Sequence, residues 1–295
     1  MRWKGERQSD NVEDRRGQGG FGGVGMRRGG IGIGAIVMAL LGGWLLGINP
    51  LELLGLIGGI DGGPVVQAPA PTASGQQEVS PTDPGGLFVS TVLASTEDAW
   101  TEVFRRGGAT YRPPRLVMFN GATQTACGLG QSAAGPFYCA EDQTVYIDLD
   151  FYQMLQQRFK APGDFAQAYV VAHEVGHHVQ NLLGTMNEVQ SQRQRMSERQ
   201  YNQLSVRLEL QADCYAGVWA RQSQQAKGWL EEGDVEEGLN AASQIGDDTM
   251  QRRTQGTVVP DAFTHGSSEQ RVYWFQVGME SSQLSDCDTF ARTEH

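Results

Sequence analysis

Apolar and polar positions divide the chain into four stretches. From Ile31 to Ile48 (IGIGAIVMALLGGWLLGI) there are 18 residues without a charge, the lower end of what crosses a bilayer as a helix. Leu51–Ile60 extends that run past Pro50 and Glu52. Residues 61–86 (DGGPVVQAPAPTASGQQEVSPTDPGG) are rich in Pro, Gly, Ala, Ser and Gln with little to bury, the composition of a flexible linker. The pattern therefore predicts a basic tail over residues 1–30, a transmembrane anchor region over 31–60, a linker over 61–86 and a compact domain over 87–295.

Inside that domain, Val89, Val92, Leu93, Thr96, Trp100, Val103 and Phe104 recur at helical spacing, and Gly107-Gly108 ends the helix. Arg115–Phe119 and Thr144–Leu149 are short β-rich runs. Asp150–Phe159 reads as a short helix stopped by Ala161-Pro162. Phe165–Leu183 reads as a longer apolar one, with Asp164 as N-cap and Gly184 just past its end. Asn187–Gln203 is polar, an exposed helix or loop, and Leu204–Gln222 regains apolar periodicity. Two more helices are expected from Asp234 and from Ser267, where Ser267 and Gln270 have capping-box spacing. A mostly helical chain with a small sheet ahead of its main helices is an α+β domain, here preceded by one transmembrane helix.

Charge sets an orientation. Residues 1–30 carry seven Lys/Arg and four Asp/Glu, a net of +3, which leaves −14 for the rest of a chain whose total is −11. A domain that acidic repels a polyphosphate backbone, so nucleic acid is not an expected partner. Arg15, Arg16, Arg27 and Arg28 precede the apolar run and nothing comparably basic follows it. The positive-inside rule then predicts a single-pass cell-membrane protein with a cytoplasmic N-terminus and the domain periplasmic or extracellular. A cleaved signal peptide fits less well, because the polar leader is long and no small-x-small site follows the run. The four cysteines suit export: Cys127 and Cys139 bracket a loop they could close, and Cys214 and Cys287 would then form a second pair. Four cysteines permit three connectivities, and the sequence leaves them open.

The candidate chemistry lies in His173-Glu174-Val175-Gly176-His177, which matches H-E-x-x-H. On a helix, positions four apart lie on one face a turn apart, so both imidazoles can reach one metal ion and Glu174 can take a proton from an attacking water. A catalytic zinc has three protein ligands and one open position. His178 is one residue off that face and His295 ends the chain, so the third ligand is expected to be an acid on a second helix. Glu209-Leu210-Gln211-Ala212-Asp213 offers two acids four residues apart in apolar company. Glu209 would be the ligand, and Asp213 would accept the other ring N–H of His173. His265, in Thr264-His265-Gly266, is a candidate donor to the oxyanion of a tetrahedral intermediate, with Arg271 the weaker one.

H-E-x-x-H followed by E-x-x-A-D on a later helix resembles the gluzincin side of the zincin metallopeptidases. MRWKGERQSDNVEDRRG, PFYCAEDQTVYID, HEVGHHVQ, ELQADCYAGVW and THGSSEQRVYWF together resemble one bacterial family, the putative neutral zinc metallopeptidases, over nearly the whole chain. That resemblance implies Zn2+ at His173, His177 and Glu209 and Glu174 as catalytic acid/base. It implies a zincin-like domain, a peptide or protein substrate, and a membrane contact through the N-terminal helix. By the same analogy the strand at Thr144–Leu149 would be an edge strand that pairs with extended substrate. Two other readings share these residues: an amidase acting on cell-wall peptides, and a membrane-tethered binding or scaffolding protein that keeps the metal structurally.

Overall fold

The first strand of the fold is one that the apolar pattern hides. In the computed structural model, which describes residues 1–17, 79–80, 82–132, 135–157, 161, 163–281 and 283–291, Val12–Asp14 forms an edge strand, β1. Three residues with one apolar side chain carry no alternation to read. β1 pairs in parallel with β2 (Arg115–Phe119), which pairs in parallel with β6 (Thr144–Asp148), and β5 (Phe137–Cys139) closes the sheet antiparallel to β6. The order is β1–β2–β6–β5, with β3 (Ala122–Thr125) and β4 (Gly128–Gln131) as a separate hairpin. Leu116, Met118, Val145 and Ile147 turn one face of the sheet to the helical core. Val117, Phe119 and Tyr146 pack with Cys139 in a smaller cluster on the other. Thr144–Asp148 is thus an inner strand with a neighbour on each side, not the edge strand expected; the edges of the four-stranded sheet are β1 and β5.

Eight helices are described: α1 (Pro84–Arg106), α2 (Asp150–Gln157), α3 (Asp164–Leu183), α4 (Thr185–Gln192), α5 (Glu198–Lys227), α6 (Asp234–Gln244), α7 (Asp247–Thr254) and α8 (Ser268–Ser281). α1 starts ahead of the expected boundary at Leu87, because Asp83 caps it through Gly85 N and Pro84 supplies a pre-set first turn. α5 runs unbroken through the polar stretch before Leu204, started by a capping box between Ser197 and Gln200. The Ser267–Gln270 box also forms: Ser267 N donates to Gln270 Oε1 (3.0 Å) and Gln270 N to Ser267 Oγ (3.2 Å). Asp164 does not cap α3. It is the first helical residue, after Gly163, and its carboxylate accepts instead from the Met1 ammonium (2.9 Å) and Trp3 Nε1 (3.1 Å).

Residues 1–17 therefore belong to the domain rather than to a separate tail. Arg2 N donates to Trp229 O (2.8 Å), Ser9 N to Ser90 O (3.1 Å), and Arg16 pairs with Asp14 (2.6 Å) and with Asp83. The expected anchor over residues 31–60 and the linker through residue 78 lie outside the described residues; among the described ones no helix is long and apolar enough to cross a membrane. The cysteines pair as Cys127–Cys139 and Cys214–Cys287, the second tying α5 to the turn at Leu284–Cys287. Mostly helical with small sheets, the domain is α+β.

Candidate metal centre

Two helices build the site, and a glycine sets how closely they cross. Gly176, inside the H-E-x-x-H turn of α3, faces Ala212 of α5: a Cβ at Gly176 would stand 2.9 Å from Ala212 O and 3.1 Å from its Cα. Any side chain there would push α5 away, and Glu209 with it. Where the helices meet, one ligand atom each from His173, His177 and Glu209 lies within 4.8 Å of the others. His173 Nε2 is 3.2 Å from Glu209 Oε2, and His177 Nε2 is 3.5 Å from Glu209 Oε1.

The outer nitrogens of both imidazoles are already committed. His173 Nδ1 lies 2.8 Å from Asp213 Oδ1, so its ring N–H donates to that carboxylate. His177 Nδ1 lies 2.9 Å from Gln180 Oε1. The Gln180 amide N–H groups donate to Leu208 O (2.7 Å) and Gln211 Oε1 (3.1 Å), which leaves its oxygen to accept from His177. With Nδ1 so engaged, each ring turns Nε2 toward Glu209 and the point between them, and in its neutral form would offer that nitrogen's lone pair to a cation there. Two imidazoles and a carboxylate are the donor set that suits zinc, and the residues present fit it.

The field of the site also calls for a cation. Burial works to lower the His173 imidazole, but Asp213 and Glu209 outweigh it and push it up to about 10. Burial works to raise Glu209, yet His177 and His173 hold its carboxyl well below the usual range. Burial lowers His177 further from its ordinary value. Asp213 is fully buried, and against that burial Arg271 and His173 hold it at about 2. Arg271, also buried, donates from Nε to Asp213 Oδ2 (2.8 Å) and from Nη2 to Oδ1 (2.9 Å), and the Tyr169 hydroxyl donates to the same carboxylate. Arg271 thus braces Asp213 from behind; the expectation that it competes with His265 for an oxyanion does not hold, because its guanidinium is occupied inside the core.

Glu174 is buried beside His173. Burial, the largest influence, pushes it up to about 7, with Glu209 adding and His173 opposing. His265 is an exposed side chain whose charge is felt by Glu174 and Glu209. Its Nδ1 lies 3.2 Å from Asp247 Oδ1, and that hydrogen bond, the largest influence, raises its pKa. Asp247 Oδ2 also accepts from the backbone N–H groups of Thr264 (2.7 Å), His265 (2.6 Å) and Gly266 (3.0 Å), which fixes the loop. His178 points elsewhere, to the Tyr138 hydroxyl (2.9 Å) and Arg112 O (2.7 Å), and His295 lies outside the described residues.

Gln180, Asp247 and Tyr169 are absent from the sequence reading. Gln180 was findable, since it follows His177 by three residues and so shares its helix face. Tyr169 precedes His173 by four and was findable the same way. Asp247 lies 18 residues before His265 with an intervening helix, and no spacing rule reaches it.

Two relatives resemble the chain over most of its length. An uncharacterized protein of Escherichia coli (strain K12), YpfJ, is 48% identical over 301 residues, covering 99% of this chain and 100% of its own length. An uncharacterized protein of Mycobacterium tuberculosis (strain ATCC 25618 / H37Rv), Rv2575, is 41% identical over 217 residues, 70% of this chain and 72% of its own. No solved structure matches. The family described as "Putative neutral zinc metallopeptidase" matches residues 1–290, so a match spanning the sheet, the paired histidines and Glu209 places the chain in that family.

Proposed function

We propose that the chain is a membrane-associated, zinc-dependent endopeptidase with Glu174 as its general base and acid. The observation that carries this reading is the convergence of His173, His177 and Glu209 within 4.8 Å, with a buried carboxyl one residue from the first ligand. Zinc held by those three residues would polarise the scissile carbonyl and acidify the attacking water. Glu174, buried one residue from the first ligand, accepts the water proton as the C–O bond forms and delivers it to the amine nitrogen as the C–N bond breaks. His265, held through Nδ1 by Asp247, which raises its pKa, donates to the developing oxyanion. Substrate in extended form pairs with β5. Tyr138 on that strand bonds His178 of α3 and accepts from Asn181 (2.9 Å), which fixes the strand to the active-site helix. The two disulfides favour an oxidising compartment for the domain.

The test is peptidase activity on unfolded protein by the full chain and its Glu174→Gln variant. We expect a loss of about 10²–10⁴-fold with zinc retained, the range for removing a general base. Full activity in the variant would discard the mechanism. Hydrolysis confined to cell-wall peptides would replace endopeptidase with amidase.

A further inference from the structure

A cavity of about 1020 Å³ opens between α5 and α8, beside the loop that carries His265. Val206 and Leu210 of α5 line one part of it, and Val272 and Trp274 of α8 another. Phe263 and Ser267, two residues before His265 and two after it, line it as well. The loop lies directly on α5: a Cβ at Gly266 would stand 3.1 Å from Leu210 Cδ2 and 3.3 Å from Val206 Cγ1. One loop thus borders the cavity through Phe263 and Ser267 and reaches the metal centre through His265, whose charge is felt by Glu174 and Glu209.

The cavity also begins close to the metal ligands. Val206 precedes Glu209 by three residues, so it shares that side of α5 and stands about 4.5 Å away along the helix axis. An extended peptide advances about 3.3 Å per residue. A chain with its scissile bond at the metal centre therefore reaches the cavity within about two residues. Two lining residues, Asn202 and Asp261, are tied to each other: Asn202 Nδ2 donates to Asp261 O (3.3 Å), while Arg199 Nε pairs with Asp261 Oδ1 (3.1 Å). This holds the turn at Pro260–Ala262 to α5. Val258 and Val259, which lead into that turn, stand exposed at 37% and 47%. Adjacent exposed apolar side chains at the rim of a cavity mark a binding surface.

The lining sets the class of occupant. Its charged groups are committed or peripheral: Arg207 Nη1 donates to Phe290 O (3.0 Å), Asp261 pairs with Arg199, and Glu269 is exposed. The rest is apolar and aromatic surface interleaved with hydroxyl and amide side chains. Such a surface suits large apolar side chains with backbone amides between them. The volume is at the upper end for a ligand pocket, enough for a short stretch of chain rather than one side chain.

We infer that this cavity receives a short apolar stretch of the substrate beginning about two residues from the scissile bond, so that the enzyme selects unfolded protein with large apolar residues over peptides of small or polar ones. This rests on the peptidase reading above and names the class of its substrate.

The test measures binding to the full chain carrying Glu174→Gln and supplied with zinc, so that turnover does not intervene. The probes are two fluorescent, unfolded peptides of equal length and charge, one with a leucine-phenylalanine-leucine stretch and one with three alanines in its place. The apolar peptide is expected to bind at least about 10-fold tighter, the lower end of what an apolar pocket discriminates. Phe263→Ala and Val206→Glu, each added to that chain, should bring the ratio toward unity, with zinc content by elemental analysis showing that the metal centre is kept. Equal binding of the two peptides before these substitutions, or a preference that survives both, overturns the inference. Hydrolysis by the parent chain is read separately. An apolar preference in binding with neither peptide cleaved discards the peptidase reading and keeps the cavity as a peptide-binding site.

Discussion

Two clusters of candidate ligands draw residues from α3, one with α6 and one with α5, and they differ in what stands behind them. At the start of α3, Asp164, Asp234 and Glu237 place their oxygens within 4.8 Å of one another, as close as the atoms of His173, His177 and Glu209 two turns further on. The first cluster already has its cation: the Met1 ammonium lies on Asp164 and Asp234, and Glu231 is 3.3 Å away. In the second, the nearby carboxylate Asp213 and the amide Gln180 take the outer imidazole nitrogens and leave the inner ones facing Glu209. Proximity of acids is therefore a poor guide. What separates the two is whether the groups behind the ligands leave lone pairs converging on one point.

The comparison can be broken at several places. The largest effect is expected from Asp213→Asn, which removes the carboxylate that orients His173 and leaves buried Arg271 without its counter-charge. Zinc affinity, read by chelator competition, should fall about 10–100-fold, as for other partners of ligating histidines. Unchanged affinity would mean that Asp213 serves the fold alone. A smaller effect is expected from Asp247→Asn. Asp247 raises the His265 pKa, so its loss should lower that pKa and move the alkaline limb of the activity profile to lower pH. An unmoved alkaline limb would remove His265 from the reaction.

The smallest effect belongs to the other cluster. Asp164→Asn should cost no more than about 1 kcal/mol of stability, because the pair is partly solvated, and should leave zinc binding intact. Its pH dependence has a defined sign. Burial works to lower the Met1 ammonium, but Asp164 and Asp234 outweigh it and push it up to about 10 from a reference value of 8.0. A cation with a raised folded pKa stabilises fully below the unfolded value and ceases to as pH passes the folded one. The stability difference between Asp164→Asn and the parent should be complete below about pH 8 and fade by about pH 10. A difference that persists above pH 10 would place the ion pair elsewhere.

Much of the site was legible in the sequence because helices convert spacing into direction. His173 with His177, and Glu209 with Asp213, are each four apart, so each pair's shared face follows from 3.6 residues per turn. Ser267 with Gln270 gave the start of α8 in the same way. The parts that escaped join residues distant in sequence. β1 is three residues long and earns its place only by pairing across 104 residues with β2, a link no local pattern encodes. The inner position of Thr144–Asp148 was hidden for the same reason, since β5 is short and half-buried and carries no strong alternation. The sequence offers Arg271 as the weaker oxyanion donor beside His265, and only the crossing of α8 over α5, allowed by Gly217 and Gly278, turns it inward onto Asp213.

The central claim is that two imidazoles and Glu209 form one metal site. Elemental analysis of purified full chain should find one zinc per molecule in the parent, one in Asp164→Asn, and none in Glu209→Ala or His177→Ala with the fold retained by circular dichroism. Zinc lost with Asp164 but kept without Glu209 would put the metal in the other cluster and contradict the account.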